Sequence, residues 1–168
     1  VPLGYTERPA ETLEKALQAA RQAVALDNDD PAAHVSLGRA HFLGNNIEAA
    51  IPELETALEL NPNLTYARVS LGHALTYSGH AEEAVKYLET AIRTSPRDLW
   101  LGSMAARAAE AHLALRQYEK ALDWARLAVR QPNIQWPGYA GLAAILGHLD
   151  RNDEAQSAGD EILRRKPD

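Results

Sequence analysis

Motif residues in this chain return every 34 positions, and that period restricts its fold more than any other feature. Leu37-Gly38 comes back as Leu71-Gly72, Ala50 as Ala84, Ala57 as Ala91 and Pro62 as Pro96. The same step carries Ala121 to Ala155. A fixed period of this size marks stacked helix-turn-helix units, because one helical hairpin leaves an apolar face that only the next hairpin can cover. The expected fold class is therefore all-α, a right-handed solenoid of tandem hairpins. With 168 residues there is room for just under five units. A scaffold of this kind says how a partner is held, and leaves its identity open.

Composition narrows the reading further. Hydrophobic residues make up 46% and charged residues 24%, a globular balance. Only one Phe and one Met occur, so Leu and Ala must build the interior. Ala favours helix and lets helix axes approach closely. A formal charge of -6 argues against nucleic acid as a partner, which calls for a basic patch. The absence of Cys excludes disulfides, a thiolate nucleophile and Cys-ligated zinc. No apolar run approaches the roughly 18 residues of a membrane span, and no signal peptide is visible. A cytoplasmic location with no membrane partner is the expectation. Because the chain begins at Val1 and not at Met, it reads as a fragment or a processed product of something longer.

Along the chain, residues 1–9 carry two Pro and a Gly and read as a linker or the remnant of a preceding unit. A leading helix is expected over 10–28, followed by repeats at about 31–63, 64–98, 99–133 and 135–168. Asp30 has the chemistry of an N-cap, and Pro31 suits the first helical position, where its missing N–H costs nothing. Gly44-Asn45-Asn46 and Ser78-Gly79-His80 are turn sequences. Pro52 removes one backbone donor early in its helix, which predicts a weakened or shifted start there. Ala84 to Ala121 is 37 residues, so three extra residues fall near Asp98-Leu99-Trp100-Leu101. They predict a lengthened helix from Leu99 to Leu115. In the last unit Gly159 stands where earlier copies have Leu54 and Leu88, and Pro167 closes the period. A thinner, more polar final helix suits a terminal cap.

The spacing W-x2-L-G-x2-Y, then A-x3-F, then P resembles the tetratricopeptide repeat across nearly the whole chain. His34-x2-Leu37-Gly38-x2-His41 and Arg68-x2-Leu71-Gly72-x2-Leu75 match its first half, with Trp and Tyr replaced. Ala50-x3-Leu54 and Ala84-x3-Leu88 match its second, while Ala108-Ala109 and Leu142-Ala143 depart from Leu-Gly. More narrowly, the phrases LNPN, AIRTSPRD and AAILGHLDRNDEA resemble the C-terminal repeat regions of bacterial class III adenylate or guanylate cyclases. Similar regions follow the winged-helix domain of some bacterial transcription regulators.

The resemblance implies that first helices line a concave groove. Val35, Arg39, Phe42 and Leu43 are expected there, then Tyr66, Val69, His73, Thr76 and Tyr77, then Ala106, Glu110 and Leu113, then Ala140, Ala144 and His148. Arg39, Phe42, Tyr66, Val69, His73, Tyr77 and Glu110 are the candidate partner-binding residues. Aromatic and aliphatic side chains with a few charges suit an extended peptide or a partner helix. Packing between helices is the competing reading for Phe42, Tyr66 and Tyr77. A clamp for a terminal carboxylate is not expected, since only Arg39 on the comparable faces carries the charge and Glu110 would repel an anion.

His34 and His41 stand at packing positions, and no pair of His has metal-binding helical spacing. No cofactor is expected. No nucleophile elbow or phosphate loop occurs, so the chain does not read as an enzyme. Trp100 and Trp136, read as exposed, open first helices near the break in register; they are either interface anchors or fillers of the inserted space. The function expected is a protein–protein interaction scaffold, the regulatory or docking arm of a larger bacterial signalling protein. The alternative is self-association, as a homodimer for example, or intramolecular control of an attached catalytic or DNA-binding domain.

Overall fold

In a computed structural model that describes residues 9–165, the described residues form nine α-helices and no strand. They are α1 (Pro9–Leu26), α2 (Pro31–Leu43), α3 (Ile47–Leu60), α4 (Thr65–Tyr77), α5 (Ala81–Thr94), α6 (Leu101–Ala114), α7 (Tyr118–Val129), α8 (Trp136–His148) and α9 (Asn152–Arg165). Residues 1–8 of the expected linker, and Pro167, lie outside the described residues; Pro9 opens α1.

Local chemistry sets the helix ends. Asp30 caps α2, its carboxylate accepting from the Ala32 amide at 2.8 Å, with Pro31 as the first helical residue. Every hairpin turn places one residue in the left-handed region: Asn45 (φ 58°), Gly79 (φ 87°), Arg116 (φ 56°) and Asp150 (φ 57°). The next amide then reaches back to a carbonyl five residues earlier, as from His80 to Leu75 and from Gln117 to His112, both at 2.9 Å. This is the Schellman closure, and it satisfies carbonyls the helix end would leave bare.

Two expectations about local structure change. The helix containing Pro52 starts cleanly at Ile47 and runs unbroken to Leu60. Asn46 caps it through Ala49, and Pro52 removes only one ladder bond, on an exposed side. The inserted residues do not lengthen α6, which begins at Leu101. Asp98 takes the Trp100 amide at 2.8 Å, folding Asp98–Trp100 into a tight turn ahead of the helix.

Packing generates the groove. Each hairpin's two helices pack together, and each second helix packs on the next first helix. In addition α2, α4, α6 and α8 touch one another in succession, whereas α3, α5, α7 and α9 do not. The stack therefore curves with its first helices inside, which makes their free face concave. Leu54, Leu71 and Leu88 are almost wholly buried between layers, each contributing about 2 kcal/mol. Val35, expected in the groove, is only 3% exposed and belongs to this core.

The contact inside the first two hairpins is matched in size. A Cβ added at Gly38 would lie 2.7 Å from Leu54 Cγ, and one at Gly72 would lie 2.7 Å from Leu88 Cγ. At the same repeat positions the later hairpins carry Ala109 with Ala125 and Ala143 with Gly159. In the third hairpin the first-helix residue grows and its partner shrinks, so the helix separation there can stay close. A Cβ at Gly159 would meet nothing within 4 Å, which fits the end of a stack.

Candidate partner-binding groove

One repeat position runs down the concave face as a column. It holds Arg39 on α2, His73 on α4 and Glu110 on α6. His73 Nε2 lies 3.4 Å from Glu110 Oε2, without forming a direct hydrogen bond. Glu110 is held more firmly by Arg107, whose Nη1 donates to both carboxylate oxygens at 2.9 and 3.1 Å. Burial works to raise the Glu110 pKa, but His73 and Arg107 outweigh it and hold the carboxyl below the usual range. Burial pushes His73 below the usual histidine value, with Arg107 and Arg39 acting the same way against the pull of Glu110.

Around His73 the aromatic side chains gather. Its ring centroid is 4.4 Å from that of Phe42 and 5.1 Å from that of Tyr77, and Phe42 meets Tyr77 edge-on at 5.6 Å. Phe42 packs inward against the main core cluster, while Tyr77 stays 59% exposed. For Phe42 packing between helices is therefore part of its role, whereas Tyr77 presents a rigid face to solvent. The Glu110 charge, with burial second, raises the Tyr77 pKa and keeps the phenol protonated.

A second feature sits beside this cluster. Arg39 stands at the groove surface with its guanidinium 4.6 Å above the centre of the Tyr66 ring. Desolvation there, and the Arg107 charge after it, lower the Arg39 pKa without discharging it. Arg39, Tyr66, Val69, Ser70, His73 and Arg107 help line a hollow of about 250 Å³, closed on one side by Asp98, Trp100 and Ser103. Beyond Trp100 a second hollow of about 260 Å³ runs over Ala106, Arg107 and Glu110 to Ile134 and Pro137. The inserted turn thus forms a lip between two hollows of one groove. Trp100 is 66% exposed, so it does not fill the space of the insertion; Trp136, read as exposed, is half-buried at the start of α8.

All seven candidate residues lie on α2, α4 and α6, six of them in direct contact with another of the set. Val69 enters through the first hollow, beside His73, and Thr76 turns its hydroxyl to its own helix at the Gly72 carbonyl. The groove expected along α8 is different: Ala144 and His148 are exposed, and His148 stacks on Tyr118 at 4.9 Å. His34 is 5% exposed and hydrogen-bonded to Glu53 at 2.7 Å and to the Asn28 carbonyl at 2.9 Å, a structural position. Sequence reasoning missed Arg107, although its place three residues before Glu110 puts both on one helix face.

Tetratricopeptide repeat family profiles match residues 10–71 and 69–140, which together span most of the chain. Solved structures agree on the fold. The thermophilic tetratricopeptide repeat protein TTC0263 of Thermus thermophilus superposes with a TM-score of 0.80 at 20% identity, over 92% of this chain and 84% of its own. MamA of Desulfovibrio magneticus RS-1, residues 41 to the end, gives 0.74 at 19% identity, over 90% and 84%. A tetratricopeptide repeat protein of Parabacteroides merdae ATCC 43184 gives 0.77 at 14%, over 96% of this chain and 62% of that one. No curated protein matches the sequence. The fold is a tetratricopeptide-type α-solenoid, and the chain belongs to the tetratricopeptide repeat family. Repeats of this family generally mediate protein–protein interaction. No helix among the described residues is long and apolar enough to cross a membrane.

Proposed function

We propose that this solenoid is a docking module that grips an extended peptide or a partner helix in its concave groove. Arg39, Phe42, Tyr66, Val69, His73, Tyr77 and Glu110 form the working surface in this reading. The observation that carries it is the Phe42–His73–Tyr77 cluster, whose Tyr77 is locked by ring contacts yet 59% exposed. Rigid, half-open aromatic side chains make effective interface anchors, because little conformational entropy is lost when a partner covers them. The finer reading, a regulatory arm of a larger bacterial signalling protein, rests on the sequence resemblance to cyclase and regulator repeat regions. Capture from cognate lysate by the wild-type chain and by Arg39→Ala/Tyr77→Ala tests the groove. A partner lost with the double variant supports it, and a partner held equally by both sends the binding surface elsewhere.

A second reading, self-association or docking of an attached domain, has one specific observation behind it. Ala50, Ala84 and Ala121 are fully buried inside their hairpins, but Ala16, at the same repeat position on α1, is exposed. The α1 face that would receive a first helix is open among the described residues. Sedimentation equilibrium of wild type and Ala16→Glu checks this reading. A dimer abolished by the substitution favours it, and a wild type that stays monomeric up to high micromolar concentration removes self-association.

A further inference from the structure

Arg39 has no carboxylate within ion-pair distance among the described residues, in a chain whose formal charge is -6. A guanidinium over an aromatic ring engages the ring through its charge and not through its N–H groups, which stay available to an acceptor. Across the same hollow stands Arg107, which spends only Nη1 on Glu110. Two cations therefore face one cavity, and each opposes the other's charge.

The remaining charged group in the lining, Asp98, has a carboxylate oxygen committed to the Trp100 amide at 2.8 Å. Ser70 and Ser103 add hydroxyls to the wall. A volume of about 250 Å³ fits one side chain rather than a larger cofactor. The lip at Trp100 then offers an apolar surface to the residues on either side of that side chain.

Resting on the docking reading above, we propose that the hollow between Arg39 and Arg107 is the specificity pocket of the groove. Its occupant is the side chain of an internal Asp or Glu of a partner peptide, with an apolar neighbour lying against Trp100. The carboxylate accepts from the free edge of Arg39 and from the unengaged nitrogens of Arg107. Tyr66 holds the first guanidinium in place and Glu110 the second, so both donors are ordered before the peptide arrives; Glu110 itself lines the neighbouring hollow and has its charge paired with Arg107, which limits its repulsion of the incoming carboxylate. Such preorganised, charge-assisted contacts discriminate strongly against the isosteric amide, which lacks the charge.

The test is a positional-scanning library of fluorescein-labelled octapeptides, acetylated and C-terminally amidated so that no terminal carboxylate is present, read by anisotropy. Pools with Asp or Glu fixed should bind about ten-fold tighter than pools with Asn or Gln at the same position. Arg39→Met, which keeps an unbranched apolar side chain beside Tyr66, should erase that preference, so that acidic and amide pools bind alike. Arg107→Met should reduce the preference, and raised salt should weaken it in wild type only. Equal binding of acidic and amide pools overturns this inference but leaves the groove reading standing. A companion library with free C-termini and one with phosphoserine fixed are read beside it, and binding confined to either of those also overturns the inference. Failure of every pool to bind removes the groove reading itself.

Discussion

Replacing Gly72 by Ala should destabilise this solenoid, and combining it with Leu88→Ala should cost about 2 kcal/mol less than the two single losses added together. Ala is the better helix former by about 1 kcal/mol, so propensity alone predicts a gain. The new Cβ, however, would sit 2.7 Å from Leu88 Cγ and 3.1 Å from its Cδ2. Leu88 is fully buried, with no free space to retreat into. Overpacking of that kind costs roughly 1–3 kcal/mol, leaving a net loss near 1 kcal/mol. Leu88→Ala alone opens a cavity against Gly72 and costs about 3 kcal/mol. The double variant recreates the pairing that Ala109 and Ala125 make in the next hairpin. There the clash disappears and the propensity gain remains, so the loss should be near 2 kcal/mol against an additive sum near 4. Urea unfolding followed by far-UV circular dichroism gives the four values. Because repeat arrays need not unfold as one unit, amide exchange in α4 and α5 should accompany it. Additivity within about 0.5 kcal/mol would refute the size-matching account of the hairpins.

Arg116 holds a left-handed backbone at the turn where the third described hairpin closes, so Arg116→Gly should raise stability by about 1 kcal/mol in thermal unfolding. His34 donates from both ring nitrogens, to Glu53 and to the Asn28 carbonyl, which requires the protonated ring. Burial opposes its charge, but Glu53, Asn28 and Asp30 outweigh burial and raise its pKa above the ordinary 6.5. Its contribution of about 1 kcal/mol is therefore full below pH 6.5 and lost as pH rises through the folded value. His73 acts in the opposite sense, so the pH profile of wild type must be compared with that of His34→Gln, which should be flatter above pH 6.5. Trp100→Ala should leave stability within about 0.5 kcal/mol, as expected of an exposed side chain, and weaken partner binding about ten-fold in titration calorimetry.

The solenoid was legible because its packing rule is local and repeated. Gly38 against Leu54 and Gly72 against Leu88 leave a spaced imprint that survives changes elsewhere. Capping chemistry at Asp30-Pro31 was equally plain, since one side chain and the next residue decide it. The groove was legible in part, because Arg39, His73 and Glu110 share one repeat position and must line up when the helices stack. The inserted turn was not, because its shape depends on Asp98 choosing the Trp100 amide over a longer helix. Nor did periodicity mark Val35 as core, since its burial is set by the neighbouring hairpin. Arg107 escaped attention for a related reason: its weight comes from facing Arg39 across a cavity that only the curvature creates.

The most direct test of the groove as the working surface is site-specific photocrosslinking in cognate lysate. A benzophenone side chain is placed at Tyr77 on the concave face or at exposed Lys86 on α5. The account predicts a discrete crosslinked partner from position 77 that is missing from position 86. The same partner captured from Lys86 alone would contradict it.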